Sequence, residues 1–207
     1  MPYGSTQQPL SGDGCHAKAV KIDYGIVGQR GAAAERGPMS KLSHPLAEFF
    51  QHAYVTNDMA RAKRQFADRW GVHSFLEFES SLELGTPRGI ESARMKIALA
   101  FVGNLQIELI EPVGGPAARI YQQALPASGY KVVWHHFAYR LPGGADTWQQ
   151  FRSSIGTADY PIAIEGHIHN DYGDVRFAYL DTYAELGHYS EYVWATYDID
   201  APVPRNP

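Results

Sequence analysis

Apolar and polar residues alternate along Phe49–Thr56 and again along 131–141, and both runs are rich in β-branched and aromatic residues. That is the pattern of sheet strands, the second one stopping at Pro142-Gly143-Gly144. After the first strand, Asn57 or Asp58 can cap a helix in which Met59, Ala62, Phe66 and Trp70 recur at spacings of three and four, and Gly71 ends it. The spacing then predicts strands over His73–Glu79 and Arg94–Val102, separated by a Gly/Pro/Ser loop from Leu84 to Ser92. Gly103-Asn104 is a tight-turn dipeptide, and Leu105–Glu111 alternates until Pro112 stops it.

The order βαβββ recurs. A connector with a short helix over 117–125 leads into the strand from Val132. A helix over Ala145–Ile155 carries Trp148, Phe151, Arg152 and Ile155 on one face. Strands over Tyr160–Ile168 and Val175–Thr182 flank a turn at 170–174, and Gly187–Ala195 closes the series. The expected fold is α+β, with paired βαβββ modules forming an eight-stranded, cup-shaped mixed sheet. The expected boundaries are a flexible N-terminal extension at 1–43, a first module at 44–112, a connector at 113–131, a second module at 132–196 and a tail at 197–207. Numbering supports the repeat: His52 to His136 is 136 − 52 = 84 positions, and Glu108 to Glu191 is 191 − 108 = 83.

Composition narrows the function classes. A formal net charge of −4 offers no basic excess for nucleic acid or an anionic membrane. A single cysteine, Cys15, excludes an internal disulfide and a thiolate metal cluster and fits a reducing cytoplasm, the expected location. No segment approaches the ~18 apolar residues that span a bilayer, and the start lacks the charged and apolar regions of a signal peptide. The 13 tyrosines suit sheets and pocket linings.

The chemistry lies in the strands. Side chains alternate faces, so His135 and His136 should point opposite ways, and at most one should enter a given pocket. In the fourth strand Gln106, Glu108 and Ile110 share one face, and Leu105, Ile107, Leu109 and Glu111 the other. Two imidazoles and two carboxylates recurring at equivalent module positions form an N/O set suited to Zn, Ni, Co, Mn or Fe(II). A lone strand histidine is more often a hydrogen-bonded structural residue, and it is the recurrence that favours metal.

Gln51-His52-Ala53-Tyr54-Val55, Ile107-Glu108-Leu109-Ile110-Glu111-Pro112, His135-His136-Phe137-Ala138, Phe177-Ala178-Tyr179-Leu180-Asp181 and Gly187-His188-Tyr189-Ser190-Glu191 are the segments that carry a family resemblance. With the paired modules, they resemble the vicinal oxygen chelate superfamily, which includes glyoxalase I, methylmalonyl-CoA epimerase, extradiol dioxygenases and bleomycin resistance proteins. The resemblance implies one divalent metal (Ni, Co, Zn, Mn or Fe) held by His52, Glu108, His136 and Glu191, with Gln106 as the fallback in the fourth strand. It favours His136 over His135 because the family ligand precedes an apolar-Ala pair, here Phe137-Ala138. The stretch from Asp181 to Gly187 is longer than the family hairpin and lacks its proline, so the substrate loop does not transfer.

The function so implied is a metal-dependent lyase or isomerase of the glyoxalase or epimerase type, stabilising an enolate of a small oxygenated carbonyl substrate. Glu191 is the first choice of base and Glu108 the second. His167, His169 and His188 are further acid or base candidates, while Tyr54, Tyr139, Tyr179 and Tyr189 line or pack the cup. One alternative is an Fe(II) extradiol-type dioxygenase using His52, His136 and Glu191; another is a metal-free binding or resistance protein. The resemblance also implies a homodimer.

Overall fold

The computed structural model describes residues 48–157, 161–170 and 173–199. The expected extension at 1–43 and the tail beyond 199 lie outside the described residues. Strand β1 (Phe49–Thr56) runs into helix α1 (Met59–Trp70), as the periodicity predicts. The Asp58 carboxylate accepts a hydrogen bond from the Arg61 N–H at the start of α1, and Gly71 adopts a left-handed φ of 69° at its end.

β2 (Leu76–Thr86), β3 (Gly89–Val102) and β4 (Leu105–Gly114) complete the first module. The loop expected over Leu84–Ser92 is two strand ends around a tight hairpin. Thr86 paces that turn, its hydroxyl donating to Gly89 O and accepting from the Arg88 N–H, and Leu84 is fully buried. Pro112 does not stop β4. It sits beyond Ile110, the last residue paired with β1, and opposite Met95, where the β3 ladder already shifts register, so its missing N–H falls where pairing is irregular.

A 3-10 turn at Pro116–Ala118 and the short α2 (Arg119–Gln122) form the connector. Then come β5 (Val132–Arg140), α3 (Ala145–Ser154), β6 (Ile162–Asn170), β7 (Gly173–Leu180), the one-turn α4 (Tyr183–Leu186) and β8 (Tyr189–Ala195). α4 occupies the stretch after Asp181 and has no counterpart in the expected pattern.

The eight strands close in the order β1-β4-β3-β2-β6-β7-β8-β5. Each module contributes one parallel pair, β1 with β4 and β5 with β8, and β1 and β5 join antiparallel. The seam between β2 and β6 rests on Gly85 opposite Glu165. Interior side chains include Phe50, Val55, Leu84, Met95, Ile110, Phe177 and Val193, with Ala117, Ile120 and Tyr121 of the connector packed among them. α1 lays Met59, Ala62 and Phe66 on the outside against Ala98, Ile107 and Leu109. α3 covers the second module with Trp148 and Phe151 against Ala178, Leu180 and Trp194. No helix among the described residues is long and apolar enough to cross a membrane.

Near the seam Gly166 lets β6 approach the core. A Cβ there would stand 2.3 Å from Phe177 Cζ and 2.9 Å from Leu84 Cδ2, and both neighbours are buried. Gly166→Ala is therefore expected to destabilise the fold by about 1–3 kcal/mol, the range for overpacking a core. A thermal melt unchanged from the wild type would contradict this packing.

Candidate metal centre in the cup

The strand registers place the functional side chains. Glu108 of β4 stands beside Ala53 of β1, and Glu191 of β8 beside Ala138 of β5. The residue two before each alanine is Gln51 in β1 and His136 in β5. Gln51 and His136 are thus equivalent between the modules, as are Glu108 and Glu191. His52 lies one residue out of step, and a one-residue step turns a side chain to the other face.

His52 accordingly stands outside the cup, its ring 5.1 Å from that of Phe49 and 4.8 Å from that of Phe137. The structure does not bring it together with Glu108, His136 and Glu191. Gln51 takes the inward position and is 6% exposed.

The adjacent histidines do not point opposite ways. Ala53 pairs with His136 and Tyr54 with Trp134, so His135 is an extra residue in β5, a β-bulge. The bulge turns both imidazoles inward, and both are fully buried. Trp134 and Phe137 on either side stack outward at 4.4 Å.

At the floor, His136 Nε2 lies 3.1 Å from Glu191 Oε2, 3.4 Å from Glu108 Oε2 and 3.3 Å from the Tyr179 hydroxyl. The Tyr121 hydroxyl donates to that of Tyr179 at 3.4 Å. Burial acts to lower the His136 pKa, but hydrogen bonds to Glu108 and Glu191 and the charge of both carboxylates push it up to about 9. Burial raises Glu191, with His136 pulling the other way. Burial and the charge of Glu191 keep Tyr179 protonated well above the ordinary tyrosine range, and burial does the same for Tyr121.

Two hydrogen-bond chains set the polarity of the inward nitrogen and oxygen atoms, and both start at a backbone carbonyl. The Ile199 carbonyl accepts from Gln106 Nε2 at 3.1 Å, and Gln106 Oε1 accepts from Gln51 Nε2. Gln51 Oε1 is left buried with no hydrogen-bond partner. On the other side the Ile120 carbonyl faces His135 Nε2 at 3.2 Å, and His135 Nδ1 faces His136 Nδ1 at 2.9 Å. A carbonyl can only accept, so His135 Nε2 carries the proton, its Nδ1 accepts, and His136 Nδ1 donates. His136 Nε2 is then the free position, aimed between two carboxylates.

Gln51, Gln106, Glu108, Tyr121, Tyr179 and Glu191 line a cavity of about 170 Å³, with Ile199 at its edge. A larger cleft of about 590 Å³ lies outside, beside the start of α1, and both of its lysines are paired, as Lys63–Glu77 and Lys96–Glu111. The buried polar groups gather at the smaller cavity.

Among the described residues, no three His, Cys, Asp or Glu side chains stand in ready-made coordination geometry. The donor set nevertheless fits a divalent ion. A nitrogen lone pair facing two carboxylates repels them unless a cation sits between, and a proton fills that place when no metal does. An orphaned buried amide oxygen lines the same cavity. One nitrogen and three oxygens suit Zn, Ni, Co, Mn or Fe(II).

The remaining candidates lie elsewhere. His188 Nδ1 donates to Tyr189 O at 2.8 Å, and its ring stacks on Trp134 on the outer side. His167 and His169 share Asp174 Oδ1 at 2.7 and 3.1 Å on the exposed β6–β7 hairpin. Tyr54 packs under α1 against Phe66, and Tyr139 against Tyr192. Tyr179 and Tyr189 do face inward. Gln51 was not among the site residues expected from the sequence; the signal that marks it is its place two before Ala53, matching His136 two before Ala138.

Methylmalonyl-CoA epimerase from Mycobacterium tuberculosis shares 16% identity at a TM-score of 0.46, over 71% of this chain and 87% of that one. A variant of the Streptomyces coelicolor epimerase in complex with 2-nitronate-propionyl-CoA shares 13% at 0.48, over 72% and 98%. A variant of 4-hydroxymandelate synthase from Streptomyces coelicolor shares 10% at 0.43, over 72% and 49%. No curated protein matches the chain. A sequence model of one family matches residues 50–179, well over half the chain, and this protein belongs to that family, the Glyoxalase/Bleomycin resistance protein/Dioxygenase superfamily.

Proposed function

We propose that the cup binds one divalent metal through Gln51, Glu108, His136 and Glu191, and that the protein is a lyase or isomerase acting on a small oxygenated carbonyl compound. The observation that carries this reading is His136 Nε2, held with its free position between Glu108 Oε2 and Glu191 Oε2 at 3.4 and 3.1 Å. When bound, a divalent ion supplies Lewis-acid stabilisation of the charge that develops on a carbonyl oxygen as the neighbouring C–H loses its proton, worth several kcal/mol.

The chain's own groups do the rest. Glu191 is the proposed base, because burial raises its proton affinity toward what abstraction of a carbon-bound proton needs. Glu108, at the equivalent place in the other module, stands ready to carry a proton on the opposite side of the substrate. The protonated Tyr179 hydroxyl can donate to a substrate oxygen. Tyr121, Phe177 and Ile199 exclude water from the cavity and strengthen these interactions.

The donor set weighs against the dioxygenase reading, which calls for two histidine ligands. The second inward imidazole is His135, and both of its nitrogens are already engaged. A simple binding protein would have no use for a buried cluster of one imidazole and two carboxylates, which is costly to desolvate.

The test is elemental analysis of protein purified without a metal-binding tag. About one Ni, Co, Zn or Mn per chain is expected. Iron as the bound metal would favour the dioxygenase, and failure to take up any divalent ion on titration would reject the metal reading.

A further inference from the structure

His135 is buried, inward-facing and outside the proposed ligand set, yet its ring and both of its nitrogens are engaged. Its ring lies between those of Tyr121 at 4.9 Å and Tyr189 at 5.1 Å. Both nitrogens have a partner, Ile120 O at 3.2 Å and His136 Nδ1 at 2.9 Å. The β5 bulge that turns it inward interrupts the β1–β5 ladder, and an interrupted ladder in a central strand is a loss that the local contacts must offset.

An imidazole ligand has two tautomers, and only one leaves Nε2 free. In an isolated histidine the choice is set by whatever the other nitrogen bonds to. Here the Ile120 carbonyl decides it at one remove, through the ring of His135. The two carboxylates face His136, whereas His135 faces a carbonyl and the His136 ring, so any positive charge belongs on His136 and the Nδ1 of His135 accepts.

We propose that His135 is a positioning residue: by accepting a hydrogen bond from His136 Nδ1, it holds His136 in the tautomer and ring orientation that present Nε2 to a divalent cation. The inference rests on the metal reading above. Its geometric content is that the chain from Ile120 O through His135 to His136 runs in one direction and cannot be reversed without facing one lone pair with another.

The test is titration with Co(II), followed by its visible absorption, on the wild type, His135→Phe and His135→Asn. Phenylalanine keeps the ring between Tyr121 and Tyr189 but cannot accept. Asparagine places a carbonyl oxygen where Nδ1 stands. His135→Phe should weaken Co(II) binding by about 10- to 100-fold, the usual loss on removing a hydrogen-bond partner of a metal ligand, while His135→Asn stays near the wild type. Equal affinity of wild type and His135→Phe, or an equal loss in both variants, would overturn the proposal while leaving the metal reading intact. A wild type that takes up no Co(II) would reject the metal reading itself.

A second measurement needs no variant. In nitrogen-labelled wild-type protein, the side-chain NMR pattern should give His135 as the Nε2–H tautomer and place a proton on His136 Nδ1 whether or not its Nε2 also carries one. A proton on His135 Nδ1 would overturn the proposal even if both variants failed to fold.

Discussion

His136→Ala is expected to lose at least ~100-fold in divalent-metal affinity, beyond what removal of a ligand's outer hydrogen-bond partner costs. The reason is that His136 supplies the only nitrogen in the proposed set, and its Nε2 is the point on which Glu108, Glu191 and Tyr179 converge. Alanine also leaves two buried carboxylates facing each other with no imidazole between them, so one must take up a proton and cease to be a good ligand. Equilibrium dialysis against Zn(II), with circular dichroism to verify the fold, reads the effect. A folded His136→Ala protein that retains a full complement of metal would remove the basis of the proposed centre.

The legibility of this chain divides along a physical line. Features set by local periodicity were readable: α1 with its Asp58 cap and Gly71 terminus, the alternating β4, and the inward apolar face of α3. The module repeat was readable too, because the same strand-helix-strand order recurs with nearly constant spacing. Features that depend on a neighbouring strand were not. Gly, Pro and Ser between Leu84 and Ser92 suggest a loop, but the cross-strand ladder from Leu84–Glu91 to Thr86–Gly89 keeps β2 and β3 extended almost to the turn. Pro112 suggests a stop, yet it falls where β1 has already ended.

The site shows the same division more sharply. Glu108 and Glu191 were singled out because they recur 83 positions apart at equivalent places in the two modules, and both line the cavity. Strict alternation misled at the histidines, because a bulge is an event between two strands and leaves no mark in one of them. It made His135 and His136 look like opposites when they are partners. In β1 the 84-residue spacing to His136 and the family resemblance pointed to His52, whereas the strand register turns Gln51 inward.

That choice leads to a sharp contrast between adjacent residues. Gln51→Ala should weaken metal binding by about tenfold or more, since it deletes an inner oxygen donor and frees the Gln106 amide it holds. His52→Ala should leave the affinity unchanged, and its only effect should be a modest loss of stability from the ring contacts with Phe49 and Phe137. Gln51→His should bind more tightly than the wild type, because imidazole is a stronger donor than a carboxamide toward Zn, Ni or Co. Competition against a chromophoric chelator ranks all three proteins in one experiment. If His52→Ala were the variant that lost its metal, β1 would have to pair one residue out of the observed register. That slip would turn Ala53 and Val55, both fully buried here, to the outer face. It would also end the equivalence of Gln51-His52-Ala53 and His136-Phe137-Ala138 beside Glu108 and Glu191, so this pair of substitutions tests the symmetry of the barrel along with the chemistry of its cup.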